Sequence, residues 1–185
     1  MRIIAGTYRS RVLAAPAGMA TRPTSDRLRE TLFNVLAARI EGAAFLDLYA
    51  GSGAVGLEAL SRGAGSATFV ERAQPALKAL RGNLAALGVA SGFRVHAGSV
   101  AAFLCTGRGD GFDVVFLDPP YDAADEYESM LGLLGGAAAA QLAPGAVVVA
   151  EHRRKQRLED RYGGLARTRL LEQGDAGLSF YAVSG

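Results

Sequence analysis

From Gly42 onward the chain alternates short apolar runs with stretches of helical spacing, and this rhythm constrains the fold more than any other feature. "AFLDLY" precedes a helical stretch from Val55 to Arg62, "ATFVE" precedes Ala73 to Leu87, and "FRVH" precedes Val100 to Leu104. "FDVVFLD" adds a fourth strand, with helix following from about Asp125 to Leu134, and "AVVVAEH" adds a fifth after Pro144 and Gly145. Such repetition builds a parallel sheet, because parallel neighbours need a crossover long enough to hold a helix. The runs are continuously apolar, as strands covered on both faces are. The tail differs: "LARTRLLE", a turn over Gly174 to Gly177 and "LSFYAV" predict an antiparallel pair at one sheet edge. The expectation is an α/β, Rossmann-like fold: a seven-stranded, mostly parallel sheet with helices on both faces and an antiparallel edge.

Ahead of this core, Met1 to Ala15 reads as two short strands, "RIIA" and "SRVLAA", around a turn at Gly6, with Pro16, Gly18 and Pro23 marking a loop. Leu28, Leu32, Val35, Leu36 and Ile40 then recur at helical spacing, and Thr24, Ser25 and Asp26 can cap the start. The 185 residues are expected to form one domain. Within it, residues 1–23 make a basic hairpin and loop, 24–40 a leading helix and 43–185 the core.

Immediately after the first strand of the core comes "GSGAVG", in which Gly51, Gly53 and Gly56 match G-x-G-x-x-G and Ser52 sits between the first two. A helix follows, so backbone N–H groups are free at the sheet edge. Taken alone, the glycines could simply make a tight strand-to-helix connection. Glu71, beside Arg72, ends the next strand twenty positions after Gly51, where a carboxylate can accept from both hydroxyls of a ribose. Asp47 is a poor neighbour for a pyrophosphate and a good one for an ammonium group. The set therefore favours S-adenosylmethionine over NAD.

"DPPY", Asp118 to Tyr121, follows the fourth strand. Proline restricts its own φ and the residue before it, so Pro119 and Pro120 hold this loop to few shapes. With "FLDLYAGSG" and Glu71 it makes the chain resemble the class I S-adenosylmethionine-dependent methyltransferases. "RPTSDRLRETLFNVL" and "LDLYAGSGAVGLEALSRGA" are similar to the signatures of the bacterial small-subunit (16S) ribosomal RNA guanine-N2 methyltransferase family, and the resemblance spans essentially the whole chain. It implies methyl transfer to the exocyclic N2 amine of a guanine in 16S rRNA or a small-subunit assembly intermediate.

The chemistry accounts for the loop. A nucleobase amine is a poor nucleophile because its lone pair is delocalised into the ring. Acceptors around its N–H groups, the Asp118 carboxylate and the Pro119 carbonyl, favour the pyramidal nitrogen that attacks a methyl sulfonium. Tyr121 can stack on the extruded base. Proton loss to Asp118 or to water stays open, as does guanine against adenine, since DPPY serves both. A DNA adenine-amine methyltransferase is thus the enzymatic alternative, although 185 residues leave little room for a target-reading domain. A non-catalytic RNA-binding assembly module is the other.

The family pattern places Arg22, Thr24 and Asp26 at the cofactor mouth. Such enzymes often carry an acidic or amide side chain after the third strand to meet the adenine amine. This chain has Ser99 there, with the Val100 N–H as a further contact. The net charge of +2 hides an asymmetry, since Met1 to Glu30 holds six arginines against only Asp26 and Glu30. Arg2, Arg9 and Arg11 are expected to meet RNA phosphates, and Arg27 and Arg29 either to orient RNA or to brace their segment through ion pairs. A lone Cys105 and two scattered histidines, His96 and His152, give no disulfide framework or metal-ligand spacing and read as structural. No apolar stretch suggests secretion or membrane spanning, so a cytoplasmic, metal-free monomer is expected.

Overall fold

The computed structural model describes residues 1–16, 24–106, 111–120 and 124–183. Helix α1 spans Asp26–Ile40, and Ser25 caps it by accepting a 3.1 Å hydrogen bond from the Leu28 N–H. Then follow β1 (Ala44–Leu48), α2 (Ala54–Ser61), β2 (Ser66–Glu71), α3 (Gln74–Leu87), β3 (Phe93–Ala97), α4 (Val100–Cys105), β4 (Phe112–Leu117), α5 (Ala124–Leu134) and β5 (Leu142–Arg153). The chain closes with β6 (Arg161–Tyr162), β7 (Leu165–Gln173) and β8 (Ala176–Val183).

The strands form one sheet in the order β3-β2-β1-β4-β5-β8-β7-β6, parallel from β3 to β5 and antiparallel beyond. It has eight strands where the sequence suggested seven. The extra one, β6, is a two-residue pairing of Arg161 with Ala166 and Tyr162 with Leu165, too short to leave a periodicity.

Alternation along the strands divides the core in two. Phe45, Phe69, Val114, Phe116 and Val149 face the side covered by α1, α2 and α3, through residues such as Leu32, Leu36, Leu57 and Leu80. Leu46, Leu48, Val70, Val115, Leu117 and Val148 face the side covered by α4 and α5, through Leu104, Tyr127, Leu131 and Leu134. Both faces being dry explains the unbroken apolar runs.

The N-terminal segment forms the expected small hairpin: Arg2 pairs antiparallel with Val12, and across the arms the Ile3 N–H donates to the Arg11 carbonyl at 3.0 Å, Ser10 to Ile3 at 2.9 Å and Leu13 to Met1 at 3.0 Å. Several of its other backbone donors go to side chains on the helices beneath. The buried Glu58 of α2 accepts from the Ile4 N–H at 2.8 Å and the Ala5 N–H at 3.0 Å, Ser61 Oγ accepts from Tyr8, and Asn83 of α3 accepts from the Ala14 N–H at 2.8 Å. Buried backbone groups need partners, and a ladder is only one way to supply them. The segment is thus a strap clasped onto α2 and α3.

Candidate active site

The C-terminal ends of β2, β1, β4 and β5 lie side by side, the edge at which sheets of this class take ligands. Leu48 pairs with Val70 and Leu117, and Leu117 pairs with Ala150. One residue beyond that row stand Glu71, Tyr49, Asp118 and Glu151. Asp47 lies just before Leu48. Sequence positions more than one hundred residues apart are thereby gathered at one crevice.

The loop between β1 and α2 owes its shape to left-handed residues: Tyr49 at φ 64°, Gly51 at 57° and Gly53 at 80°. A Cβ on Gly53 would lie 2.3 Å from Leu80 Cδ1, and one on Gly56 would lie 2.4 Å from Phe69 Cε1. These two glycines let α2 close down on the sheet and on α3, whereas a Cβ on Gly51 would meet nothing nearer than 4.0 Å. Ser52 is buried, and its carbonyl accepts a 2.9 Å bond from Asn83 Nδ2. Glu71 closes the loop from the other side. One carboxylate oxygen accepts from the Gly51 N–H at 2.8 Å; the other accepts from the Arg72 and Ala73 N–H groups at 2.8 and 2.7 Å. The Arg72 side chain itself points to solvent.

Asp47 is buried, with Oδ2 accepting from the Gly56 N–H at 2.8 Å. Burial pushes its carboxyl up to about 7; the Gly56 bond opposes this and the charge of Glu71 adds to it. Asp47 and Glu71 place two carboxyl acceptors beside the glycine loop, a set that fits an ammonium group and a ribose diol. On β3's side, Ser99 caps α4 by accepting from the Ala102 N–H at 3.2 Å, which occupies part of the acceptor capacity given to it for adenine. Val100 opens that helix and is buried.

Asp118 is half-buried, Pro119 buried and Pro120 exposed. Burial, followed by the charges of Glu151 and Asp47, holds the Asp118 carboxyl well above its ordinary range. Tyr121 and Arg22 lie outside the described residues. Thr24 is buried and its hydroxyl donates to Glu151 Oε2 at 2.7 Å, which brings the start of α1 to the crevice. The Tyr49 hydroxyl donates to Glu126 of α5, tying the glycine loop to the helix that follows DPPY. Glu151, Tyr49 and Glu126 had no assigned role from spacing. A carboxylate inside the apolar run "AVVVAEH" was the visible signal for Glu151.

Asp26 faces Arg29 at 2.7 Å and Arg2 at 3.8 Å. Of the two roles expected for Arg29, RNA contact needs correction. Arg29 is wholly buried, donating to Asp26 and to the Arg2 carbonyl, so it braces α1 against the strap and is withdrawn from any RNA surface. Its Nε and Nη1 have no hydrogen-bond partner among the described residues. Arg2, Arg9 and Arg27 line one cleft of about 450 Å³ together with Asp26 and Glu30. Arg11 lies apart from them, donating to the Ala86 carbonyl at the end of α3. Among the described residues no helix is long and apolar enough to cross a membrane, and no group of three or more His, Cys, Asp or Glu could hold a metal.

The family described as "Conserved hypothetical protein 95" matches residues 1–182. YlbH of Bacillus subtilis, named as a candidate rRNA methyltransferase, is 36% identical over 187 residues, covering 100% of both chains. Ribosomal RNA small subunit methyltransferase D of Escherichia coli is 47% identical over 121 residues, 65% of this chain and 60% of the relative. Among solved structures, yhhF of Escherichia coli, described as a candidate methyltransferase, superposes with a TM-score of 0.86 at 38% identity, covering 100% of this chain and 98% of the other.

Proposed function

The chain belongs to the family described as "Conserved hypothetical protein 95", and on that footing we propose that it is an S-adenosylmethionine-dependent methyltransferase acting on the exocyclic N2 amine of a guanine in small-subunit ribosomal RNA. The observation that carries this reading is the row of carboxylates at the C-terminal edge of the sheet. Asp47 and Glu71 lie beside the glycine loop and Asp118 one strand away, so a cofactor site and an amine-accepting site share one crevice. The small-subunit rRNA assignment is supported by the similarity to methyltransferase D of Escherichia coli.

When bound, S-adenosylmethionine supplies an electrophilic methyl group on a cationic sulfur. Asp47 holds the ammonium end, and Glu71 takes the ribose hydroxyls with the acceptor capacity its three backbone bonds leave. Ser99 and the Val100 N–H face adenine, and Arg22 and Thr24 close the mouth. Asp118 and the Pro119 carbonyl accept from the amine's N–H groups, and Tyr121 stacks on the base. Arg2, Arg9 and Arg27 meet the RNA backbone from the cleft beside α1. The protein works as a single-domain monomer in the cytoplasm, on 16S rRNA or a small-subunit assembly intermediate.

Incubation with methyl-labelled cofactor and separately purified 16S rRNA, small-subunit particles and DNA, followed by nucleoside analysis, tests the reading. N2-methylguanosine from small-subunit RNA is the expected product. Label in DNA adenine would favour the DNA enzyme, and no label anywhere would favour an assembly module.

A further inference from the structure

Four cations stand within five residues where β5 ends: Arg153, Arg154, Lys155 and Arg157, all exposed. On an ordinary surface such a run is simply solvated, and it is the place of this one in the sheet that gives it meaning. The last rung that β5 shares with β4 pairs Leu117 with Ala150, but β5 continues through Glu151, His152 and Arg153 on its ladder with β8. At about 3.3 Å per residue, that carries the cations roughly 10 Å beyond the rung, on the same sheet edge as Asp118. The turn that bears them is fastened. The Arg154 N–H donates to the Asp175 carbonyl at 2.8 Å, the Gln156 N–H to the Arg153 carbonyl at 2.9 Å, and Arg167 Nη1 to the carbonyl of the buried Leu158 at 3.1 Å. Of the acids around it, Glu172 pairs with Arg154 at 3.1 Å, Asp160 pairs with Arg167, and Glu159 and Asp175 are exposed. Residues 153–175 still carry seven Arg or Lys against four Asp or Glu, and among the described residues no ion pair engages Lys155 or Arg157.

The same turn adjoins the arginine cleft beside α1. The Thr31 hydroxyl of α1 donates to Gln173 Oε1 at 3.0 Å, and Gln173 ends β7 just before the turn that contains Asp175. Arg27, one helical turn before Thr31 on the same face, lines the cleft with Arg2 and Arg9. Two basic stretches more than one hundred residues apart in sequence thus meet beside one edge of the sheet.

We propose that the turn closing β5 is a second RNA-contact surface, at which Lys155 and Arg157 take phosphates of nucleotides flanking the one in the crevice. This rests on the RNA-directed part of the reading above. A strand that gives up one base to the crevice carries negative charge on the nucleotides to either side of it. Cations at the rim hold those charges while the base stays free to enter. Because the turn is already ordered, its backbone loses little freedom on binding. Contacts of this kind set register and affinity and carry no base preference.

Filter binding of the full chain to purified 16S rRNA over a range of salt tests this. Lys155→Ala and Arg157→Ala should each lower the salt slope by about 0.7–0.9, the amount for one phosphate no longer neutralised. Lys155→Arg keeps the charge and should bind as the wild type does. Arg39→Ala controls for net charge: Arg39 Nη1 donates to the Gly145 carbonyl toward the opposite end of β5, and its loss should leave the slope unchanged. All three side chains are exposed, so each variant should unfold in urea as the wild type does. A slope unmoved by both turn variants, or lowered as much by Arg39→Ala, overturns the inference alone. RNA binding that depends on the turn, without methyl transfer by the wild-type protein, overturns the methyltransferase reading and leaves the surface standing. No RNA binding by the wild type overturns both.

Discussion

Gly51 and Glu71, twenty residues apart, are joined by a 2.8 Å hydrogen bond from the Gly51 N–H to a Glu71 carboxylate oxygen. The residue assigned to ribose therefore also holds the glycine loop in shape. Glu71→Ala should weaken binding of S-adenosylhomocysteine by about 1–3 kcal/mol, the range for a charged hydrogen bond whose partner is left behind. Glu71→Gln should lose less, because its amide oxygen can still accept from Gly51. Calorimetry on folded variants measures both, and an unchanged affinity in Glu71→Ala would put the adenosine elsewhere.

Asp47 links cofactor binding to stability through pH. Its carboxyl titrates at about 7 in the folded chain against 3.8 ordinarily. Between these values the folded state holds a proton that the unfolded state has released, so the Asp47 contribution is most favourable below about 4 and declines as pH rises to about 7. Asp47→Asn keeps an acceptor for the Gly56 N–H and removes the penalty. In urea titrations without cofactor it should be more stable than wild type at pH 8, with a flatter dependence on pH. The same variant should bind S-adenosylhomocysteine more weakly, because the ammonium group no longer meets a carboxylate.

Asp118→Ala should keep cofactor affinity within a few-fold and lose methyl transfer by on the order of 10²-fold, the scale for an interaction made in the transition state. Tyr121→Ala should impair both RNA engagement and turnover, since removing a stacking face costs about 1–3 kcal/mol. Tyr121→Phe keeps the ring and should be mild. Single-turnover rates at saturating cofactor separate the three variants. Near-normal turnover by Asp118→Ala would remove DPPY from the chemistry.

The arginines at the front of the chain should divide into two kinds. Alanine at Arg2, Arg9 or Arg27 should weaken RNA binding and lower the salt slope by about 0.7–0.9 for each phosphate no longer neutralised. Arg29→Ala should instead destabilise the fold by about 2 kcal/mol or more, as truncation of a large buried side chain does, because it removes the brace between α1 and the strap. Filter binding over a range of salt and urea unfolding distinguish the two classes. Point variants are preferable to deleting the strap, which would strip Glu58 and Asn83 of their backbone partners.

Whatever depends on local order along the chain was already present in the amino-acid sequence. The βαβ rhythm, the ends of α1, α3 and α5 to within a residue or two, and the antiparallel tail follow from side-chain periodicity, and periodicity is a property of neighbours. That Gly51, Glu71 and Asp118 share one sheet edge was legible for the same reason, since Glu71 ends a recognisable strand and Gly51 and Asp118 follow one. Which charged residues face one another was settled by tertiary packing. Whether Arg29 orients RNA or braces its segment stays open in the sequence until the strap folds over it. The hairpin was legible, but its fastening to α2 and α3 through Glu58, Ser61 and Asn83 was not. Glu151 gains meaning only when β5 is laid beside β4 and Thr24 arrives from the start of α1. Hydrogen bonds and charges act through space over a few ångströms, so partners 127 positions apart leave no mark on the spacing of either.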